Sequence, residues 1–160
     1  MNQDLATVSN FDLEHYLGTW YEIARLPMKH QPEDSTDISA VYSLNEDGTV
    51  RVQNRCLDGG GKLDEAIGEA SIVDAEHGKL EVSFLPEGLR WVPFTKGDYW
   101  VLKLDEQYET ALVGEPHMKY LWLLHRKPTL DEATKQQYLA YAESLGYDLS
   151  DLIHTGQPTA

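Results

Sequence analysis

Eight short segments rich in β-branched and aromatic residues, each closed by turn residues, constrain this chain more than any other feature. They span 18–26, 36–44, 49–57, 63–73, 79–85, 98–104, 110–115 and 120–127. Between them stand turn signals such as Asn45-Glu-Asp-Gly48, Asp58-Gly-Gly-Gly61, Glu76-His-Gly78 and Pro86-Glu-Gly88. Linkers this short make hairpins and leave no room for helical crossovers, so the segments predict an antiparallel meander. An open meander would expose two unpaired rims, and closure into a barrel removes both. An eight-stranded barrel is wide enough to be filled by side chains or to hold one small ligand. The row Ala66, Gly68, Ala70 decides between these, because small residues on one face leave room on that side. The last segment, Tyr-Leu-Trp-Leu-Leu-His-Arg, is apolar on both faces, so one face can look inward while the other receives a helix.

After residue 127 the period becomes helical. Thr129 is placed as N-cap with Glu132 three residues on, a capping-box spacing, and Thr134, Tyr138, Tyr141, Ala142 and Leu145 share a face. Gly146 then offers the left-handed residue that ends a helix. The expected organisation is one domain of 160 residues: a lead-in over 1–17 with Phe11, Leu13, Tyr16 and Leu17 as plugs, a barrel over 18–127, a helix over 129–145 and a tail over 146–160 with a short edge strand through Leu152 and Ile153.

Charge and chemistry remove several functions. Thirteen basic against 27 acidic residues give a net charge of −14, which repels nucleic acid and disfavours anionic lipid surfaces. One cysteine, Cys56, allows no internal disulfide, and the six histidines show no metal-ligand spacing. The run Asp58-Gly-Gly-Gly-Lys62 is not a phosphate loop, because Cys56 stands where the leading Gly is needed and Leu63 where a Ser or Thr should follow. No basic, apolar signal segment opens the sequence and no transmembrane run follows, so the chain is expected to be cytosolic or a mature form.

Three stretches carry a family resemblance: "GTWYEIARLP" at 18–27, "GDYWVL" at 97–102 and "YLWLLHRKP" at 120–128. In order and spacing they resemble the three signatures of lipocalins. With "TDISAVYSLNEDGTVRVQNRC" and "ALVGEP" the chain is most similar to the bacterial lipocalin subfamily, whose better-known members are outer-membrane lipoproteins, and which is close to apolipoprotein D. The resemblance implies an all-β fold, an eight-stranded antiparallel up-and-down barrel with one C-terminal helix packed outside. It also implies a small apolar ligand inside, and a periplasmic or outer-membrane location with cytoplasm as the alternative. By the same match Gly18 and Trp20 enter the first strand at the closed end, and Arg126 stacks over Trp20. The second signature usually reads Thr-Asp-Tyr; here Gly97 replaces the Thr.

With Trp20 turned inward, alternation also turns Glu22 and Ala24 inward and leaves Tyr21, Ile23 and Arg25 outside. Glu22 then either faces the ligand or bonds another barrel residue. Trp122 and Leu124 share a face with Arg126. Tyr99 and Trp100 lie on opposite faces, one of them inward, and Tyr42 offers a phenol or simple packing. The expected ligand-binding set is therefore Glu22, Ala24, Tyr42, Ala70, Tyr99, Trp100, Trp122 and Leu124, with Gly18, Trp20 and Arg126 structural. The expected role is storage or transport of fatty acids or lysophospholipids, an anionic head group lying near Arg25, Arg90 or Lys96. The apolar loop 85–97 is read as a cover for the barrel, a contact with lipid or a contact with a second subunit, which leaves open a homodimer or attachment through a lipid anchor.

No enzyme activity and no cofactor are expected. Some lipocalins isomerise prostaglandins through a cavity thiol, but Cys56 has no activating His nearby in sequence. Two alternatives remain: a haem, tetrapyrrole or other hydrophobic-cofactor carrier, for which His125 should face away from the cavity, and a barrel serving as a scaffold for protein interaction.

Overall fold

Alternating inward and outward side chains build the eight expected strands, and the first pairs with the last. The structure is a computed structural model and describes residues 6–27, 36–57, 60–84 and 96–154. A single helical turn, α1 (Leu13–Tyr16), precedes β1 (Gly18–Arg25), β2 (Thr36–Leu44), β3 (Val50–Leu57), β4 (Leu63–Asp74), β5 (Lys79–Phe84), β6 (Lys96–Leu104), β7 (Thr110–Gly114) and β8 (Leu121–His125). Helix α2 (Glu132–Leu145) and a two-residue strand, β9 (Ile153–His154), follow. From β1 to β8 each strand pairs antiparallel with the next in sequence, and β1 also pairs with β8, so these eight strands form a closed ring without free edges. The pairs Gly18 with Tyr42 and Tyr21 with Ser39 mark the β1–β2 seam, and β9 adds to β1 above it, opposite Ala24 and Arg25.

Two apolar clusters follow from strand alternation. The inner one joins Trp20, Ala40, Tyr42, Val50, Val52, Ala70, Leu80, Val82, Val101, Ala111, Val113 and Leu124, with Tyr16 from α1 closing it below. The outer one joins Ile23, Leu102, Leu112, Leu121 and Leu123 to Tyr138, Leu139 and Ala142 of α2. Strand β7 is consequently buried along its whole length, as expected where a sheet is covered on both faces.

Helix α2 starts two residues later than the capping-box spacing suggests. Asp131, not Thr129, is the N-cap, and its carboxylate accepts from Thr134 N at 2.9 Å and Thr134 Oγ1 at 3.0 Å. Both residues are good caps, and a cap at 131 puts Tyr138, Leu139 and Ala142 against the barrel. Gly146 ends the helix in the left-handed region at φ 116°, as expected. Below it Tyr147 inserts its phenol into the β7–β8 connection, donating to Tyr120 O at 2.9 Å and accepting from Glu115 N at 3.2 Å. The Glu115 carboxylate closes the same connection by accepting from the backbone N–H groups of His117, Lys119 and Tyr120.

Candidate ligand-binding site

The floor of the barrel is assembled around one indole. Trp20 is fully buried, and its Nε1–H donates to Tyr16 O at 2.8 Å. The Arg126 guanidinium lies 3.9 Å from the indole centroid and donates to the carbonyls of Leu17 and Thr19 at 3.0 Å, Tyr108 at 2.9 Å, His15 at 2.8 Å and Tyr16 at 3.3 Å. A planar cation with a fork of donors can satisfy converging carbonyls while its face rests on the π cloud; an ammonium could not do both. Gly18 admits this arrangement in two ways. Its φ of 106° is strained for any side chain, and a Cβ there would stand 3.2 Å from Arg126 Nη1.

Beside Tyr16, whose ring lies 4.9 Å from the indole, is a narrow apolar recess. Val50 and Val52 of β3, Ala70 of β4 and Leu80 and Val82 of β5 line its walls, with Leu13 and three phenols completing it. The phenols form a chain: Tyr16 Oη lies 2.6 Å from Tyr99 Oη, and Tyr99 donates to Tyr42 Oη at 2.9 Å. Burial holds all three neutral. It pushes Tyr42 up to about 12, with the Tyr99 hydrogen bond and the Arg126 charge opposing and Glu22 adding to the rise. Tyr16 and Tyr99 are pushed well above the ordinary phenol value for the same first reason.

Higher in the barrel, Glu22 and Arg25 form an ion pair at 3.0 Å, both almost wholly buried. Arg25 is therefore not on the outer surface as alternation predicts. A β-bulge between Glu22 and Ala24 inserts one residue against β8, after which Arg25 pairs with Trp122 and shares its face. The same shift corrects Ala24, which pairs with Leu123 and joins the outer cluster under α2 instead of facing the ligand space. Trp100 is corrected too: it packs on the outer cluster with Lys79 Nζ 4.3 Å from its ring, while Tyr99 is the inward member of that pair.

The structure brings Tyr42, Ala70, Tyr99, Trp122, Leu124 and Glu22 to the inner face. Trp122 is half-buried against the inner cluster, and Leu124 stands opposite Glu22 across the β1–β8 pair. Period-two alternation alone could have identified Val50, Val52, Leu80 and Val82, and Tyr16 was legible only as a plug. Arg90 and loop residues 85–95 lie outside the described residues, as do the side chains of Ala66 and Lys96. His125, one residue past the inward Leu124, is on the outer face, where Nδ1 lies 2.9 Å from Thr110 Oγ1. Cys56 is buried. Among the described residues no group of acids, histidines and cysteines could hold a metal ion, and no helix is long and apolar enough to cross a membrane.

A closed eight-stranded barrel with a stacked Trp–Arg floor and an apolar interior defines the class of β-barrel carriers of small hydrophobic molecules. The chain belongs to the lipocalin-like family, whose domain model matches residues 11–157. Lipocalins bind small hydrophobic ligands and are generally binding or transport proteins. The chain is 40% identical over 158 residues to temperature-induced lipocalin-1 of Arabidopsis thaliana, covering 97% of this chain and 84% of that protein. It is also 40% identical over 157 residues to the outer membrane lipoprotein Blc of Escherichia coli K12, covering 96% and 84%. Among solved structures, insecticyanin from the tobacco hornworm superposes with a TM-score of 0.70 at 22% identity, covering 97% of this chain and 85% of that one, a likeness of fold.

Proposed function

We propose that this protein stores or carries a single-chain lipid, a fatty acid or a lysophospholipid, with the acyl chain inside the barrel. The observation that carries this reading is the apolar inner face of the barrel, where Val50, Val52, Ala70, Leu80 and Val82 wall a narrow recess beside Tyr16. Each methylene moved from water into such a space gains about 0.8 kcal/mol, so a long chain reaches micromolar affinity after association costs. The head group stays at the mouth. Arg25 is no anchor for it, because its guanidinium is buried against Glu22; an anion there would compete with a carboxylate already in place.

The Blc relative is named an outer membrane lipoprotein, and we extend a periplasmic or outer-membrane location to this chain as part of the proposal. The haem alternative loses its candidate ligand, since His125 is on the outer face and bonded to Thr110. Titration of the delipidated protein with a lysophospholipid, followed by Trp fluorescence, tests the reading. Trp122 on the inner face should respond with saturation in the micromolar range, and an unchanged spectrum would refute a lipid in the barrel.

A further inference from the structure

The inner face of the barrel changes from bulky to small within one step along its strands. Towards the closed end stand Tyr42 of β2, opposite Gly18, and Tyr99 of β6, opposite Leu80, with Tyr16 of α1 against both rings. Two residues nearer the open end, the same face of those strands carries Ala40 and Gly97, and the β4 position opposite Val52 is Gly68. These small residues leave room on the mouth side of the three phenols. Beside Tyr16, by contrast, the recess has space for about a water. The rings hold one another in place. Tyr42 meets Tyr99 edge-on at 5.9 Å and Tyr16 at 5.8 Å, and the hydroxyls are joined at 2.6 and 2.9 Å. Tyr16 is tied to the floor as well, because its carbonyl accepts from Trp20 Nε1 at 2.8 Å and from Arg126 Nη2 at 3.3 Å. A hydrocarbon chain arriving from the mouth offers nothing to replace those hydrogen bonds, so it does not push the rings aside.

We propose that Tyr16, Tyr42 and Tyr99 form the stop that sets how long an acyl chain the barrel accepts. The inference rests on the single-chain-lipid reading and adds the residues that select chain length within it. Up to the stop, each added methylene leaves water and strengthens binding about fourfold. Past it, a further methylene stays in water at the mouth and adds almost nothing. Tyr99 is the ring the guest meets, because it remains half-buried while Tyr16 and Tyr42 are closed over. Removing that ring joins the space above to the recess. The walls opened in this way, Val50, Val52, Ala70, Leu80 and Val82, are aliphatic and take hydrocarbon in preference to water.

The experiment measures Kd for the even-numbered saturated fatty acids from decanoate to docosanoate, by displacement of a fluorescent fatty acid, in the unsubstituted protein, Tyr99→Ala and Tyr99→Phe. The quantity read is the break, the length beyond which a further pair of methylenes improves Kd by less than about twofold, against about fifteenfold before it. Tyr99→Phe keeps the ring and should break at the same length as the unsubstituted protein, while Tyr99→Ala should break at least two methylenes later. A gain that continues through docosanoate in the unsubstituted protein, an unmoved break in Tyr99→Ala, or an equal shift in Tyr99→Phe overturns the proposal. If no fatty acid binds the unsubstituted protein, the lipid reading fails; if they bind with one of those three patterns, only the present inference fails. Should Tyr99→Ala not fold, the unsubstituted protein decides, with the fatty acid at the break labelled with carbon-13 at its terminal methyl. Nuclear Overhauser contacts from that methyl to the Tyr99 ring, without contacts to Trp20 or Leu13, support the stop. Contacts to Trp20 or Leu13, or none to Tyr99, overturn it.

Discussion

Replacing Arg126 by Met keeps an unbranched apolar stem and removes every donor that this side chain brings to the barrel floor. Five hydrogen bonds to backbone carbonyls and the contact with Trp20 disappear. They do not count equally. The bonds to Thr19 O and His15 O are exposed, so water replaces the guanidinium there at almost no cost. Those to Leu17, Tyr108 and Tyr16 are partly buried and contribute about 1 kcal/mol each, and the half-buried cation–π contact adds about 1 kcal/mol more. The expected loss is about 4 kcal/mol, which at roughly 2–4 °C per kcal/mol for a domain of this size lowers Tm by about 8–16 °C. Thermal unfolding followed by near-UV circular dichroism reads this directly, and the Trp20 signal should weaken in the folded baseline because its stacking partner is gone. Arg126→Lys restores a charge but neither the fork nor the flat face, and is expected to recover less than half of the loss. A Tm within about 3 °C of the unsubstituted protein would refute the view that this side chain fastens the floor.

Other perturbations probe different parts of the molecule. Gly114→Ala would drive a methyl into the Tyr147 hydroxyl and to 2.8 Å from Leu102 Cδ1; a cost of about 1–3 kcal/mol in urea unfolding is expected, and none if the helix side is loosely packed. Glu22→Gln removes the carboxylate opposite Arg25 and should destabilise by about 3–5 kcal/mol, whereas Glu22→Leu/Arg25→Met should cost less than that single change. Additive losses in the cycle would contradict a coupled pair. The interior phenols have folded values raised above the unfolded 10, so their contribution is fully present below pH 10 and declines as pH rises through the folded values, about 12 for Tyr42. A spectrophotometric titration should therefore show Tyr16, Tyr42 and Tyr99 ionising only as the fold is lost in alkali; ionisation of these phenols near pH 10 in the folded protein would refute their burial.

The strands were legible because each carries its own period and its own turn, and Gly18, Trp20 and Arg126 because their signatures name them. What was not legible is where the period breaks. Nothing in Glu-Ile-Ala-Arg announces a bulge, since Ile23 and Ala24 both suit a strand, yet that one inserted residue sends Ala24 under α2 and Arg25 inside. The inward choice between Tyr99 and Trp100 rested on pairing with β5 and on the cover supplied by α2, information held in other segments. The phenol chain joins residues 57 and 83 positions apart, so no local pattern could display it. The cap of α2 shows a different limit: Thr129 and Asp131 are equally good locally, and the fit of Tyr138 and Leu139 to the barrel decided between them.

A fatty acid bearing a nitroxide near its terminal methyl reports whether the guest occupies the barrel interior. Saturable binding at one molecule per chain should broaden the NMR resonances of Tyr16, Val50, Ala70 and Val82 around the recess, and spare the exposed Leu44 and Val73. Broadening confined to Leu44, Leu63, Ile72 or Val73, or binding that never saturates, would place the lipid on the surface and contradict the account.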